Sequence, residues 1–182
     1  MVTRMSQSRY IFKILVAGDG GVGKTSLLVK YVNGTFLADA NMTIGINFHV
    51  RTCTLDDGRR ASLQLWDFGG QERFRFMLPS YTLGAKGAML LYDSTRFSTL
   101  ENLREWVDIC RTHDKELPIL FVGTKIDLKE QRSVDPDYAR EQMADLGLFD
   151  YVEVSAKTGE NVDRAFEMIV RKIFERQEAG GA

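Results

Sequence analysis

Short apolar runs with strand character alternate with segments of helical periodicity from one end of the chain to the other. This alternation is typical of an α/β domain with a mostly parallel sheet. The predicted strands lie at 10–17, 45–55, 60–67, 87–93, 118–124 and 151–155. The predicted helices lie at 24–32, 100–111, 136–146 and 162–176. We therefore expect a six-stranded sheet with helices on both faces.

One pair of neighbouring strands is expected to be antiparallel. Asp56, Asp57 and Gly58 separate the second and third predicted strands and have the composition of a hairpin turn. A length of 182 residues corresponds to about one domain. The chain contains no repeat or linker, so residues 1–182 are interpreted as a single domain with short polar tails at about 1–9 and 177–182.

Composition and charge exclude several classes of protein. Apolar residues make up 44% of the chain and charged residues 27%, which is ordinary globular usage. With 24 basic and 25 acidic residues, the net charge of −1 argues against a nucleic-acid partner bound through bulk charge. Cys53 and Cys110 lack zinc-ligand spacing and cannot form a disulfide framework. They are interpreted as reduced thiols of a cytoplasmic protein.

The chain carries no recognisable membrane signal. Its first nine residues are polar, and Val2 stands where myristoylation requires glycine. The last five residues contain no cysteine, so a prenyl anchor is absent, although a chain shortened at its C-terminus would look the same. We expect a cytoplasmic monomer that reaches membranes only through a partner or a missing C-terminal tail.

A glycine-rich turn between the first strand and the first helix fits G-x-x-x-x-G-K-[ST]. Glycines let backbone N–H groups face phosphate oxygens, and the helix N-terminus adds positive potential. Lys24 would reach the terminal phosphates and the Thr25 hydroxyl would bind Mg²⁺. The residues expected around the phosphates are Gly18, Asp19, Gly20, Gly21, Val22, Gly23, Lys24, Thr25 and Ser26.

The same turn also satisfies the dinucleotide pattern G-x-G-x-x-G, and Asp39 lies about 20 residues downstream. In a dinucleotide-binding fold the ribose-binding acid ends the second strand, whereas Asp39 precedes it here. The adjacent Lys24 and Thr25 would also have no role in pyrophosphate binding. We therefore prefer to interpret this glycine-rich turn, residues 18–25, as a phosphate loop.

Three later motifs decide which nucleotide is expected. Asp67 ends an apolar strand near the predicted Mg²⁺, and the N–H of Gly70 can face a γ-phosphate. Residues 124–127 (TKID) and 155–157 (SAK) end two further strands. The Asp127 carboxylate can accept hydrogen bonds from N1–H and the 2-amino group of guanine, but adenine offers it an acceptor or a C–H. An unpaired buried polar group costs about 1–3 kcal/mol, so a guanine nucleotide is favoured over ATP.

The ordered motifs GDGGVGKT, Thr43, DFGGQE, TKID and SAK resemble those of Ras-superfamily small GTPases over about residues 10–175. TIGINF at 43–48 and the pattern WD followed by GQERF are most similar to the Rab branch. Thr124, where Asn is commoner, is similar to the Rho branch, and Phe68-Gly69 in place of the usual Thr-Ala is similar to the Arf branch.

The resemblance implies a GTP-binding switch that hydrolyses GTP to GDP with Mg²⁺. It implies that Phe36 packs beside the base, that Thr43 joins Thr25 on Mg²⁺ in the GTP state, and that Gln71 orients the attacking water. The expected catalytic residues are Gln71, Lys24 and Gly70, and the expected metal site is Thr25, Thr43 and Asp67, the last through water. The expected guanine site is Thr124, Lys125, Asp127, Ser155, Ala156 and Lys157, with a backbone N–H from Ala156.

Two switch segments, roughly 34–44 and 69–81, would be ordered by the γ-phosphate and relax after hydrolysis. The first contains no arginine, so we expect slow hydrolysis without an activating protein. The resemblance further implies exchange factors, activating proteins and effectors at a surface that includes Phe48, Trp66 and Tyr81. Alternatively, a neighbouring helix could cover Trp66, and Phe48 could be a core residue.

Two other functions are compatible with a phosphate loop. The chain could be a guanine-nucleotide scaffold with vestigial hydrolysis, although the retained Lys24, Thr25, Thr43 and Gln71 argue against it. It could also be a small-molecule kinase, but no second basic lid or arginine cluster is apparent, and Asp127 would have no use there.

Overall fold

A computed structural model describes residues 10–181 and contains one six-stranded sheet. The strands are β1 Tyr10–Ala17, β2 Ile46–Thr54, β3 Arg60–Phe68, β4 Gly87–Asp93, β5 Ile119–Thr124 and β6 Asp150–Glu153. They are ordered β2-β3-β1-β4-β5-β6 across the sheet. Within residues 10–181, the β2–β3 pair is the only antiparallel one. The predicted α/β fold is therefore confirmed.

The hairpin between β2 and β3 closes as the sequence predicted. Thr54 lies opposite Arg60, and the N–H of Gly58 donates to the Leu55 carbonyl at 3.0 Å. Gly58 has a φ of 84°, a conformation that favours glycine, so the turn depends on its missing side chain.

Helices cover both faces of the sheet. They are α1 Lys24–Asn33, α2 Leu103–Cys110, α3 Pro136–Asp145 and α4 Val162–Gly180. The alternation of β1 separates two buried clusters, because Phe12, Ile14 and Val16 join one while Leu15 and Ala17 join the other. The first cluster packs against α1 and α4, and the second against α2 and α3.

Two segments differ from the sequence prediction. A 3₁₀ helix spans Glu72–Tyr81, within the second predicted switch loop. The last helix continues to Gly180 instead of ending at residue 176, so most of the predicted tail at 177–182 is helical. The predicted N-terminal tail at 1–9 lies outside the described residues.

Two global properties complete the fold. Among residues 10–181 no helix is long and apolar enough to cross a membrane. Both cysteines are buried and free. Because β1, β3, β4, β5 and β6 are parallel, their carboxyl ends meet at one edge of the sheet, which is where ligands bind in open α/β sheets.

Candidate functional site

A cavity of about 410 Å³ opens at this edge of the sheet. It brings together fourteen of the predicted site residues: Gly20, Gly21, Gly23, Lys24, Thr25, Ser26, Phe36, Thr43, Gly70, Thr124, Lys125, Asp127, Ala156 and Lys157. Gly18, Asp19, Val22, Asp67, Gln71 and Ser155 do not line it. Lining residues that the sequence did not single out are Leu27, Leu37, Ala38, Ala40, Asn41, Met42, Leu128 and Val154.

The glycine-rich turn joins β1 to the N-terminus of α1. Gly18, Gly21 and Gly23 have φ values of 138°, 74° and 97°, which residues with side chains rarely adopt. The first turn of α1 contains no acidic residue. No acidic side chain in this turn therefore offsets the positive potential of the helix N-terminus, which attracts an anion.

Lys24 is held by the loop that it follows. Its Nζ donates to the carbonyls of Gly18 and Asp19, both at 2.8 Å, and only 5% of the residue is exposed. Burial lowers the pKa of Lys24 to about 8, although the negative charges of Asp67 and Asp19 act in the opposite direction. A phosphate beside this ammonium would stabilise its charged form.

Three oxygen-bearing side chains meet beside Lys24. The Thr25 hydroxyl donates to Asp67 Oδ2 at 2.6 Å and lies 2.7 Å from Thr43 Oγ1. Asp67 is fully buried, and its Oδ1 has no hydrogen-bond partner. Burial raises the pKa of Asp67, against the hydrogen bond from Thr25 and the charge of Lys24.

These oxygens fit Mg²⁺, which prefers oxygen ligands and commonly uses one or two carboxylates together with phosphates and water. Across residues 10–181 no group of three or more His, Cys, Asp and Glu side chains could hold a metal ion. A cation here would depend on Thr25, Thr43, the unpartnered Asp67 oxygen and oxygens of a ligand.

The other end of the cavity contains a positioned carboxylate. Asp127 Oδ1 accepts a hydrogen bond from the Ser155 hydroxyl at 2.7 Å. Ser155 is fully buried, and its oxygen accepts from the Thr158 N–H at 3.1 Å. Ser155 therefore acts from behind the cavity wall by orienting Asp127, which explains why it does not line the cavity.

Thr124 joins the two ends of the cavity. Its hydroxyl lies 2.6 Å from the carbonyl of Val22, in the glycine-rich loop, and 3.0 Å from that of Tyr92. Lys125 makes a second link, since its Nζ donates to the Gly21 carbonyl at 2.9 Å and to Asp93 at 2.6 Å.

Sequence reasoning missed Asp93 and Arg96. Asp93 is fully buried at the end of β4, and its carboxylate accepts from Lys125, Thr95 and Arg96. Burial opposes ionisation of Asp93, but the hydrogen bonds from Lys125 and Thr95 outweigh it and hold the pKa below its ordinary value. Arg96 also donates to the Gly20 carbonyl at 3.0 Å. The sequence did contain a signal for Asp93, because this residue is a carboxylate at the end of an apolar strand.

Gln71 and the nearby arginines lie outside the cavity wall. Gln71 Oε1 accepts from Arg73 Nε at 2.8 Å. Arg75 is paired with Asp19 and Glu105. Among residues 10–181, no arginine lines the cavity.

The predicted aromatic surface is assembled beside the cavity. Phe48 meets Trp66 edge to face at 5.5 Å between ring centroids, and Trp66 lies 6.3 Å from Tyr81. Phe48 is 51% exposed, so it is not a core residue. Trp66 is partly covered by Tyr81 of the 3₁₀ helix and by Lys13, whose Nζ lies 4.1 Å from the ring centroid. A hollow of about 280 Å³ lies among these rings.

Comparison with known proteins gives a consistent set of relatives. Residues 13–175 match the sequence model of the Ras family. The chain is 40% identical over 166 residues to Ras-related protein RABA5c of Arabidopsis thaliana, covering 91% of this chain and 77% of that protein. It is 39% identical to Ras-related protein RABA4a of the same plant and 38% identical to Ras-related protein Rab11A of Lotus japonicus, with 91% of this chain and 73% of each relative covered.

Proposed function

Because the chain belongs to the Ras family and is Rab-like, we propose that it is a molecular switch that binds GTP, hydrolyses it to GDP with Mg²⁺, and signals through two switch segments. One observation carries this proposal. A single cavity has the glycine-rich loop and Lys24 at one end, Asp127 at the other, and the hydroxyls of Thr25 and Thr43 in its wall. This arrangement matches the phosphates, base and metal ion of a nucleotide complex.

The phosphate end would act by positioning and charge. Backbone N–H groups of the loop and the Lys24 ammonium would hold the phosphates, and Mg²⁺, when bound, would supply further neutralisation of their charge. Thr25, Thr43 and Asp67 would hold that ion, with Asp67 acting through water because it lies behind the cavity wall. At the other end, Asp127 would accept hydrogen bonds from guanine and Phe36 would pack beside the base.

Hydrolysis would require Gln71 to orient a water molecule. In the structure the Gln71 side chain is bonded to Arg73, so it would have to turn toward the cavity. An arginine near the transferred phosphoryl group increases the hydrolysis rate about 10³–10⁵-fold. In the part of the chain that the structure describes, no arginine lines the cavity. We therefore propose slow hydrolysis alone and acceleration by an activating protein.

The same reasoning extends to partners. Tyr81 belongs to the second switch segment, whereas Phe48 and Trp66 lie on strands. An effector that contacts all three would sense the nucleotide through Tyr81. Exchange factors and activating proteins would act at the switch segments. A cytoplasmic location and a monomeric state are further predictions from the sequence.

The test compares guanine with adenine nucleotides. Nucleotide released by denaturing the purified protein should be GDP or GTP, identified by chromatography, and added GTP should bind about 10⁴-fold more tightly than ATP. Asp127→Asn should lower GTP affinity and favour xanthosine triphosphate, because it reverses the hydrogen-bond polarity. Asp108→Asn, on an exposed position of α2, is the matched control. Equal binding of ATP and GTP by the unmodified protein would refute the guanine assignment.

Hydrolysis is tested separately because the vestigial scaffold makes the same binding prediction. Single-turnover hydrolysis of bound GTP should depend on Mg²⁺ and proceed slowly. GTP that binds tightly but is never converted to GDP, with or without a cell extract, would favour the scaffold.

A further inference from the structure

The carboxylate of Asp19 does not face the cavity, although Asp19 belongs to the glycine-rich loop. It accepts hydrogen bonds from Arg75 Nη2 at 2.9 Å, from Trp106 Nε1 at 2.8 Å and from Asn102 Nδ2 at 3.1 Å. Trp106 belongs to α2 and Asn102 immediately precedes it, whereas Arg75 belongs to the 3₁₀ helix Glu72–Tyr81. One carboxylate therefore joins the phosphate loop to both of these elements.

Arg75 is the second centre of the cluster that Asp19, Arg75, Asn102, Glu105 and Trp106 form. Only 8% of the residue is exposed. Its Nη1 donates to Glu105 on α2 at 2.6 Å, and its guanidinium lies 4.8 Å from the centroid of the Trp106 ring. A buried cation is costly unless opposite charges and hydrogen bonds compensate it. Here the compensation comes from two carboxylates on two different elements.

The cluster also touches the backbone that contacts the phosphate loop. Gly70 packs so closely on this loop that an added Cβ would lie 2.7 Å from Gly20 Cα and would collide with the Gly20 amide nitrogen. The Gly70 carbonyl lies 3.4 Å from Arg75 Nη2. Arg75 Nη2 therefore contacts both Gly70, at the start of the second switch segment, and Asp19, in the phosphate loop.

We propose that Arg75 is a positioning residue: by bridging Asp19 and Glu105 it holds Gly70 and the 3₁₀ helix against the phosphate loop, and so couples the second switch segment to the terminal phosphate. The inference rests on the proposed function. Neither Arg75 nor Asp19 lines the cavity, so the pair acts through Gly70 and not by touching nucleotide. The Nη1 and Nη2 groups of Arg75 both donate to carboxylates, so Arg75 in this position is not available to act as an arginine finger in cis.

The experiment measures two dissociation rates with fluorescent nucleotides, one for GDP and one for a non-hydrolysable GTP analogue. In Arg75→Gln the analogue should dissociate about tenfold faster, which corresponds to about 1.4 kcal/mol if the association rate is unchanged. GDP dissociation should stay within about twofold, because the N–H of Gly70 is expected to face only the terminal phosphate, which GDP lacks. A general loss of stability would accelerate both rates equally.

Glu105→Gln keeps the experiment informative if Arg75→Gln does not fold. It removes the more exposed anchor, since the side chain of Glu105 is 49% exposed and that of Asp19 16%. We expect a smaller shift in the same direction. Arg176→Gln breaks a similar pair with Asp114, between residues that lie outside this cluster and do not line the cavity, and should change neither rate.

Hydrogen exchange gives an independent readout. With the GTP analogue bound, backbone amides of residues 72–81 should exchange faster in Arg75→Gln than in the unmodified protein, while amides of β4 and β5 should not change. Unchanged exchange together with an unchanged ratio of the two dissociation rates would overturn the positioning role. If the unmodified protein does not bind the GTP analogue at all, the proposed function fails instead, which is a distinguishable result.

Discussion

Thr124 offers a sharp test of how the two ends of the cavity are held together. Thr124→Val removes the hydroxyl while keeping the shape of the side chain. That hydroxyl lies 2.6 Å from the Val22 carbonyl and 3.0 Å from the Tyr92 carbonyl, and only 4% of Thr124 is exposed. No water can readily replace the lost donor at so buried a position.

The size of the effect follows from this burial. Leaving a buried carbonyl without its partner costs about 1–3 kcal/mol. For a domain of this size each kcal/mol lowers the melting temperature by about 2–4 °C, so Thr124→Val should melt about 2–12 °C below the unmodified protein. Because Val22 belongs to the phosphate loop and Lys125 follows Thr124, nucleotide should also dissociate faster, by about tenfold for each 1.4 kcal/mol that binding loses.

The assay combines thermal unfolding of the GDP-bound protein with the dissociation rate of a fluorescent GDP. Thr54→Val, at an exposed end of β2, is the matched control and should change neither value. Thr124→Asn retains an N–H donor and should recover part of both losses. If Thr124→Val melts and releases GDP like the unmodified protein, the hydroxyl does not link the two ends and the reasoning is wrong.

Three further predictions concern hydrolysis, partner binding and the thiols. Gln71→Leu should slow single-turnover GTP hydrolysis about tenfold or more with GTP affinity unchanged; an unchanged hydrolysis rate would remove Gln71 from the mechanism. Trp66→Ala and Tyr81→Ala should keep nucleotide but lose a partner captured on the GTP-loaded protein, whereas loss of nucleotide or unfolding would make these residues structural. Burial raises the pKa of Cys110 to about 12 and also raises that of Cys53, so neither thiol should be alkylated at pH 8 before denaturation. Cys110 therefore contributes stability below its unfolded pKa of about 9 that is lost as the pH rises toward 12, measurable by denaturant unfolding across that range.

Local patterns in the sequence were sufficient for most of the fold. The predicted bounds of all six strands agree with the structure to within a few residues. For β4 and β5 the physical reason is that strands buried in a parallel sheet are nearly continuous in hydrophobicity. The glycine-rich loop was equally readable, since positive φ at Gly18, Gly21 and Gly23 is a property of the residues themselves.

The 3₁₀ helix Glu72–Tyr81 was not predictable in this way. Its sequence lacks a clear helical period and contains Pro79. It is held by contacts with distant parts of the chain, namely burial of Leu78 and the pairing of Arg75 with Asp19 and Glu105. Such contacts stabilise a segment whose own propensity is weak.

The sequence by itself determined which chemistry the cavity can offer: amides and an ammonium for phosphate, hydroxyls for a metal ion, and Asp127 for a base. Only the tertiary structure decided where each side chain points. Asp19 belongs to the phosphate-loop motif, yet its carboxylate is directed to Trp106, 87 residues away, and to Arg75, 56 residues away. The physical reason is that residue type and backbone conformation are local properties, whereas the partner of a charged side chain is chosen by the packing that brings distant elements together.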